Sequence, residues 1–236
     1  MISFERHAFE SRPDRSRYTR AERLVDVVVH VSGLALAVPA AIALIAAAAM
    51  FDGRAAIVAA VAIYAAGLLA MLGCSAAYHM IDVPRWSEML RRLDHAAIYV
   101  KIAATQTPFA VMVGGGHAGW LIGSVWTAAL GGALGKLLFP RRLARISLPL
   151  YLVLGWAGVA LFWPDPSAMP LATPTVSLMV AGGLLYTAGV GFFLAERLPF
   201  HNAIWHAFVL AATLAFLGAV GAEIGLRASV GAASAV

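Results

Sequence analysis

The amino-acid sequence predicts an all-α membrane protein, a seven-helix transmembrane bundle with its N-terminus in the cytoplasm. Three observations carry this expectation. Hydrophobic residues fill 61% of the 236 positions and charged residues only 12%, where a water-facing domain carries roughly 25% charged residues. The apolar residues fall in continuous runs of about 20 residues, the length that crosses a bilayer, and not in the period-two alternation of barrel strands. Lys and Arg, finally, collect in alternate connections between those runs.

The first run, 24–50, follows a basic segment at 1–23. It exceeds the roughly 7–15 residues of a signal-peptide core and reads as a retained span, although the Ala-rich stretch at 46–49 keeps a cleavage site conceivable. Further spans are expected at 55–79, 93–113, 120–138, 146–163, 176–195 and 203–226. Pro39, Pro108 and Pro149 fall inside spans, where packed neighbours can satisfy the backbone groups that a proline frees. Residues 24–228 would then form one transmembrane domain, and 229–236 a short tail.

Orientation follows from the cations. Arg6, Arg12, Arg15, Arg17, Arg20 and Arg23 precede span one; Arg85, Arg91 and Arg92 lie between spans two and three. Lys136, Arg141, Arg142 and Arg145 lie between spans four and five, and Arg197 between six and seven. These 14 of the 17 basic residues share one side, which the positive-inside rule makes cytoplasmic. Only Arg54 and Arg227 fall opposite, with Lys101 inside span three.

The net charge of +5 does not indicate a nucleic-acid partner, because the cations sit between apolar runs and form no basic face. Cys74 is the sole cysteine, which excludes an intramolecular disulfide and a cysteine-based zinc site. Membrane lipids are the expected partners, and the expected location is a bacterial plasma membrane.

Ionisable residues within spans are costly, so they are candidates for function. The topology gathers several at one leaflet. His79 ends span two, Asp94 and His95 open span three, and His201 and His206 open span seven. Glu22, Asp26 and His30 stand at i, i+4 and i+8 along one face of span one. Imidazoles and carboxylates meeting at one depth are the composition of a zinc site. Ser75, four residues before His79, shares its helical face. Asp94 could orient a ligating imidazole, accept a proton from metal-bound water, or serve as a plain first-turn acid.

The structural alternatives stand beside these. A histidine at a helix end near the headgroups is ordinary, Glu22-Asp26-His30 could cap or pack a helix, and His7 and His117 read as solvated. Lys101 lies about 10 Å along the helix from Asp94. It could snorkel to the headgroups or face a polar interior.

At these residues the sequence resembles the hemolysin III family, the bacterial branch of the progestin and adiponectin receptor superfamily. The blocks are Ser75-Ala-Ala-Tyr-His79, Leu93-Asp-His-Ala-Ala-Ile-Tyr99 continuing to Thr107-Pro-Phe109, and Ala203-Ile-Trp-His206-Ala-Phe-Val-Leu210, with Glu22 and His30 as a weaker fourth. The resemblance implies seven spans with a cytoplasmic N-terminus and a zinc ion held by one His ending span two and two His opening span seven. His79 and His206 match ligand positions, and Ser75 and Asp94 match the nearby Ser and Asp. The remaining ligand departs from the pattern. Asn202 occupies its position, and His201 precedes it by one residue. On a regular helix His201 lies about 140° around from His206, although a helix start can be non-helical. His201 could therefore substitute, Asn202 or water could complete a weaker site, or zinc could be absent. Asp26 stands where relatives often have Asn.

Three functions are implied: a zinc-dependent amide hydrolase acting on a membrane lipid, a non-catalytic lipid or metal sensor, or the cytolytic activity of the family's name. In the first, Asp94 would be the base and Ser75 would bond the water or the oxyanion. No amphipathic switch segment supports the last. A retinal protein is excluded because span seven has no lysine, and a G-protein-coupled receptor because the orientation is opposite.

Overall fold

The computed structural model describes residues 18–233, all helix and connections, with no strand among them. His7 and the arginines up to Arg17 lie outside the described residues. Helix α1, Arg20–Ala47, opens on a capping box. Thr19 Oγ1 accepts from the Glu22 amide at 3.2 Å, and Glu22 accepts from the Thr19 amide at 2.7 Å. The helix widens into a π-turn over Ala48–Asp52. This turn ends at Gly53, whose φ of 68° puts the backbone in the left-handed region that glycine enters without steric cost.

Helix α2 spans Ala55–Met80 and α3 spans Pro84–Val113. Pro84 sits in the first turn of α3, where its missing N–H costs nothing. Thus α3 begins nine residues ahead of the expected span. Glu88 supports the extra turns by pairing with Arg91 at 2.8 Å and Arg92 at 3.0 Å, at i+3 and i+4. Helix α4 covers Gly115–Leu138, a short α5 covers Pro140–Leu143, and α6 covers Ser147–Trp156 before tightening into a 3-10 helix, Ala157–Phe162. Pro149 falls in the first turn of α6, a position that tolerates it. Helices α7, Thr173–Leu194, and α8, His201–Ala233, complete the chain.

Every expected apolar run is helical, but among the described residues six elements are long and apolar enough to cross a membrane: α1 with its π-turn, α2, α3, α4, α7 and α8. The fifth expected span is the shorter helical stretch Ser147–Phe162. Helix α8 continues to Ala233, so its helical geometry extends through the first part of the expected tail.

Helices α4, α3, α2, α1, α8 and α7 pack in that order, and α6 touches α3, α4 and α7 to close the ring. Helix α3 is the most enclosed, 78% buried over its apolar window against 11% for α7. Its composition requires this. It carries Asp94, Lys101, Thr105, Gln106 and Thr107, all buried, and lipid offers such groups no partners. Thr105 and Thr107 donate to the carbonyls of Lys101 and Ala103, and Trp126 donates to Thr107. Close approach is built on small residues. A Cβ on Gly67 of α2 would lie 2.6 Å from Ala104 of α3, and one on Gly132 of α4 would strike the Tyr99 ring at 2.5 Å.

At the end of the bundle remote from the start of α1, the buried Glu223 and the partly buried Arg227 of α8 pair at 2.7 Å. Glu223 also accepts from the Ala172 amide at 3.1 Å, and Arg227 donates to the Met112 carbonyl at 2.9 Å. The pair therefore ties the ends of α3 and the α6–α7 connection to α8. In the same region Asp165 accepts from the Gly116 amide at 3.1 Å and sits 3.3 Å from His117 Nδ1.

Candidate metal centre and its cavity

Three imidazoles meet at the end of the bundle where α1 begins: His30 from α1, His79 from the last turn of α2, and His206 from the second turn of α8. One ring nitrogen from each lies within 4.8 Å of the others. The rings make mutual contact, with centroids 5.1 Å apart for His30–His79, 4.4 Å for His30–His206 and 4.6 Å for His79–His206.

Asp26 organises all three. Its carboxylate lies 2.6 Å from His206 Nδ1 and 3.1 Å from His79 Nδ1, and its backbone carbonyl is 2.8 Å from His30 Nδ1. Carboxylate and carbonyl oxygens only accept, so each Nδ1 carries the hydrogen and each Nε2 carries the lone pair. This is the arrangement in which a second partner fixes the tautomer of a metal-ligating histidine. The helical spacing explains the His30 bond, since residue i+4 stands over the carbonyl of residue i.

Ser75, one turn before His79, lies with its Oγ 3.2 Å from His30 Nε2 and beside the carboxylate of Asp94. Ser75 and Asp94 are both buried. The sequence-predicted residues Ser75, His79, Asp94 and His206 are thus brought to one place. His201 is elsewhere. It stacks on Tyr18, with its Nε2 3.3 Å from the tyrosine hydroxyl, and is not one of the three grouped imidazoles. The Asn202 amide reaches 3.4 Å from His79 Nδ1 and faces the centre. His95 is not one of the three grouped imidazoles; it lines the cavity described below, and its backbone carbonyl accepts from the Tyr151 hydroxyl at 2.8 Å. His30 and Asp26, which the sequence leaves between a functional and a helix-packing role because their i, i+4 spacing fits both, belong to the centre.

The start of α8 is held against α1 by Glu22, whose carboxylate accepts from the Phe200 amide at 2.9 Å. Phe200 has a φ of 60°, a conformation rare for a non-glycine residue and tolerated where surrounding bonds over-determine it.

The histidine cluster caps a cavity of about 850 Å³ that runs into the bundle along α3 and is walled by α1, α2, α6, α7 and α8. It passes Asp94, Lys101 and Gln106 and ends against Phe109 and Phe216. Between α6 and α7 its wall includes Val159, Phe162 and Val180, all three exposed. This seam is bridged by Trp156 Nε1 donating to Thr187 Oγ1 at 3.1 Å.

Comparison with known proteins agrees with this architecture. The family described as haemolysin-III related matches residues 18–217. The chain is similar to Hemolysin-3 of Bacillus cereus, 38% identical over 190 residues that cover 80% of this chain and 85% of the relative. It is 35% identical over 199 residues to the Hemolysin-3 homolog of Bacillus subtilis (strain 168), covering 84% and 92%. A more distant likeness is to the Monocyte to macrophage differentiation factor of Homo sapiens, 29% identical over 163 residues and 64% of each chain. No solved structure matches.

Proposed function

The chain belongs to the haemolysin-III-related family, and on that premise we propose that it binds zinc through His30, His79 and His206 and hydrolyses an amide bond in a membrane lipid. It is a multi-pass integral membrane protein of the bacterial plasma membrane. The observation that carries the reading is Asp26 holding three imidazoles in one tautomer at the mouth of a cavity.

The donor set fits the ion. Three neutral imidazoles with a carboxylate behind them and a position left over are a catalytic rather than a closed structural zinc arrangement. When bound, zinc would polarise a carbonyl and make a coordinated water acidic near neutral pH. The protein's own groups supply the rest. Asp94, buried beside Ser75, accepts the proton of the attacking water and passes it to the amine nitrogen as the C–N bond breaks, and the Ser75 hydroxyl turns from His30 to orient that water or the developing oxyanion. The apolar depth of the cavity takes an acyl chain, and the exposed wall between α6 and α7 admits it sideways from the bilayer.

The reading includes seven crossings with a cytoplasmic N-terminus. The stretch Ser147–Phe162 supports the seventh, because its 3-10 part rises faster than an α-helix and the whole covers about 27 Å. Such a length nearly matches a hydrocarbon core of about 30 Å. The excess of Arg and Lys beside the histidine end supports the orientation.

Purified full-length protein is expected to hold close to one zinc per chain by elemental analysis and to release fatty acid from a ceramide-type lipid. Asp94→Asn is expected to abolish release and keep the zinc. Absence of zinc overturns the reading. Zinc without turnover on a panel of lipid amides leaves a lipid or metal sensor, which Asn202 in place of a family ligand favours. Asp26→Ala is expected to weaken zinc by about 10–100-fold in chelator competition, the usual effect of removing a carboxylate behind a ligating histidine. The name of the Bacillus relatives carries a cytolytic alternative. It requires liposome leakage at low protein ratio that survives His79→Ala.

A further inference from the structure

Lys101 lies inside the bundle, about 10 Å along α3 from Asp94, and is 5% exposed. It does not snorkel to the surface. Its ammonium donates to the Tyr186 hydroxyl, which in turn lies 2.9 Å from Thr213 Oγ1. It also stands 4.1 Å from the centre of the Tyr186 ring and 5.7 Å from that of Phe216. All of its contacts are neutral: no carboxylate among the described residues pairs with it. A cation at this depth is costly unless a charge answers it, and rings and hydroxyls return only part of that cost.

The other charged groups of the cavity are arranged unequally. Asp26 and Asp94 stand at the histidine end, and the cavity-lining arginines Arg23, Arg91 and Arg197 sit on the helix starts and the connection near the mouth. Beyond the histidines, Lys101 is the one cation lining the cavity among the described residues. One turn further, Gln106 gives its amide N–H to the Leu154 carbonyl, while its buried Oε1 has no partner. Past these two residues the wall is apolar, with Phe109, Met179 and Phe216.

We propose that Lys101, with Tyr186, Thr213 and Gln106, is an anion subsite within the cavity. It binds an amphiphile with one acyl chain and a compact anionic head, a carboxylate or a phosphate monoester. The head bonds to the ammonium and the tyrosine hydroxyl, water carried with it donates to Gln106 Oε1, and the tail fills the apolar end or leaves between α6 and α7. In the zinc-free protein Asp26 and Asp94 repel an anion from the histidine end, so its head settles beside Lys101. The subsite does not depend on turnover or on zinc.

The test is equilibrium binding to full-length protein in detergent, read by quenching of Trp156 and Trp205, which line the cavity, with oleate, oleyl phosphate and uncharged oleyl alcohol as probes. At least one anionic probe is expected to bind ten-fold or more tighter than oleyl alcohol. A preference confined to oleate identifies a fatty acid, and one confined to oleyl phosphate identifies a lysolipid-type phosphate. Lys101→Met is expected to erase the preference while keeping oleyl alcohol binding, which shows that the fold is intact, and Lys101→Arg is expected to restore it. Equal affinities for charged and uncharged probes, or a preference that survives Lys101→Met, overturns the subsite. Zinc content in the same samples reports separately on the metal centre.

Discussion

Alanine at His206 is expected to strip the protein of zinc, from near one equivalent to a trace after gel filtration, and alanine at His79 or His30 is expected to do the same. Each removes one of three imidazoles whose ring nitrogens lie within 4.8 Å of one another. The loss should exceed the roughly 10–100-fold expected for a partner behind the ligands such as Asp26. His201→Ala is the decisive contrast. That imidazole stacks on Tyr18 outside the trio, so its variant should retain zinc. If His201→Ala loses zinc and His30→Ala keeps it, the ligand set proposed above is wrong. Asn202→His adds an imidazole where the amide already approaches His79 at 3.4 Å. It is expected to slow zinc loss to a chelator, since a further nitrogen donor can then compete for the ion.

Truncating Glu223 to alanine is expected to cost about 3–5 kcal/mol of stability, the usual consequence of removing one partner from a buried ion pair. The carboxylate is 2% exposed and serves Arg227 and the Ala172 amide together. Its loss leaves a partly buried guanidinium against the Met112 carbonyl and Met169 without its counter-charge, and one amide of the α6–α7 connection unsatisfied. Thermal unfolding in detergent should show a lower midpoint for Glu223→Ala. The double variant Glu223→Leu with Arg227→Met should recover much of it, because a matched apolar pair leaves no stranded charge. A midpoint unchanged in Glu223→Ala would show that the pair does not hold the connection.

The helices were legible in the sequence because lipid demands long unbroken apolar runs, and a run such as that of α2 admits no other reading. The shortness of α6 was not, since hydropathy counts apolar residues and does not see a helix tighten from α to 3-10 geometry over Ala157–Phe162. In the centre, Ser75, His79, Asp94 and His206 were legible from their shared depth. His30 was harder to place, because a histidine on the first helix of a bundle is equally a packing residue. Only the position of Asp26, on the same face and within reach of α2 and α8, shows which way that face turns. The hydrogen bond between Lys101 and Tyr186 joins residues 85 apart on helices that are not consecutive, and no local pattern encodes it.

The bond from Glu22 to the Phe200 amide joins positions 178 residues apart. Together with His206 it makes the last helix a wall of the pocket that the first two begin. While the chain is being synthesised, Asp26 and His30 therefore enter the membrane long before their final neighbour exists. Their cost in lipid must be borne by α2 alone or by the insertion machinery. The pocket closes only when α8 has joined α1 and α2 in the membrane, so an ion held by all three imidazoles is acquired after that step.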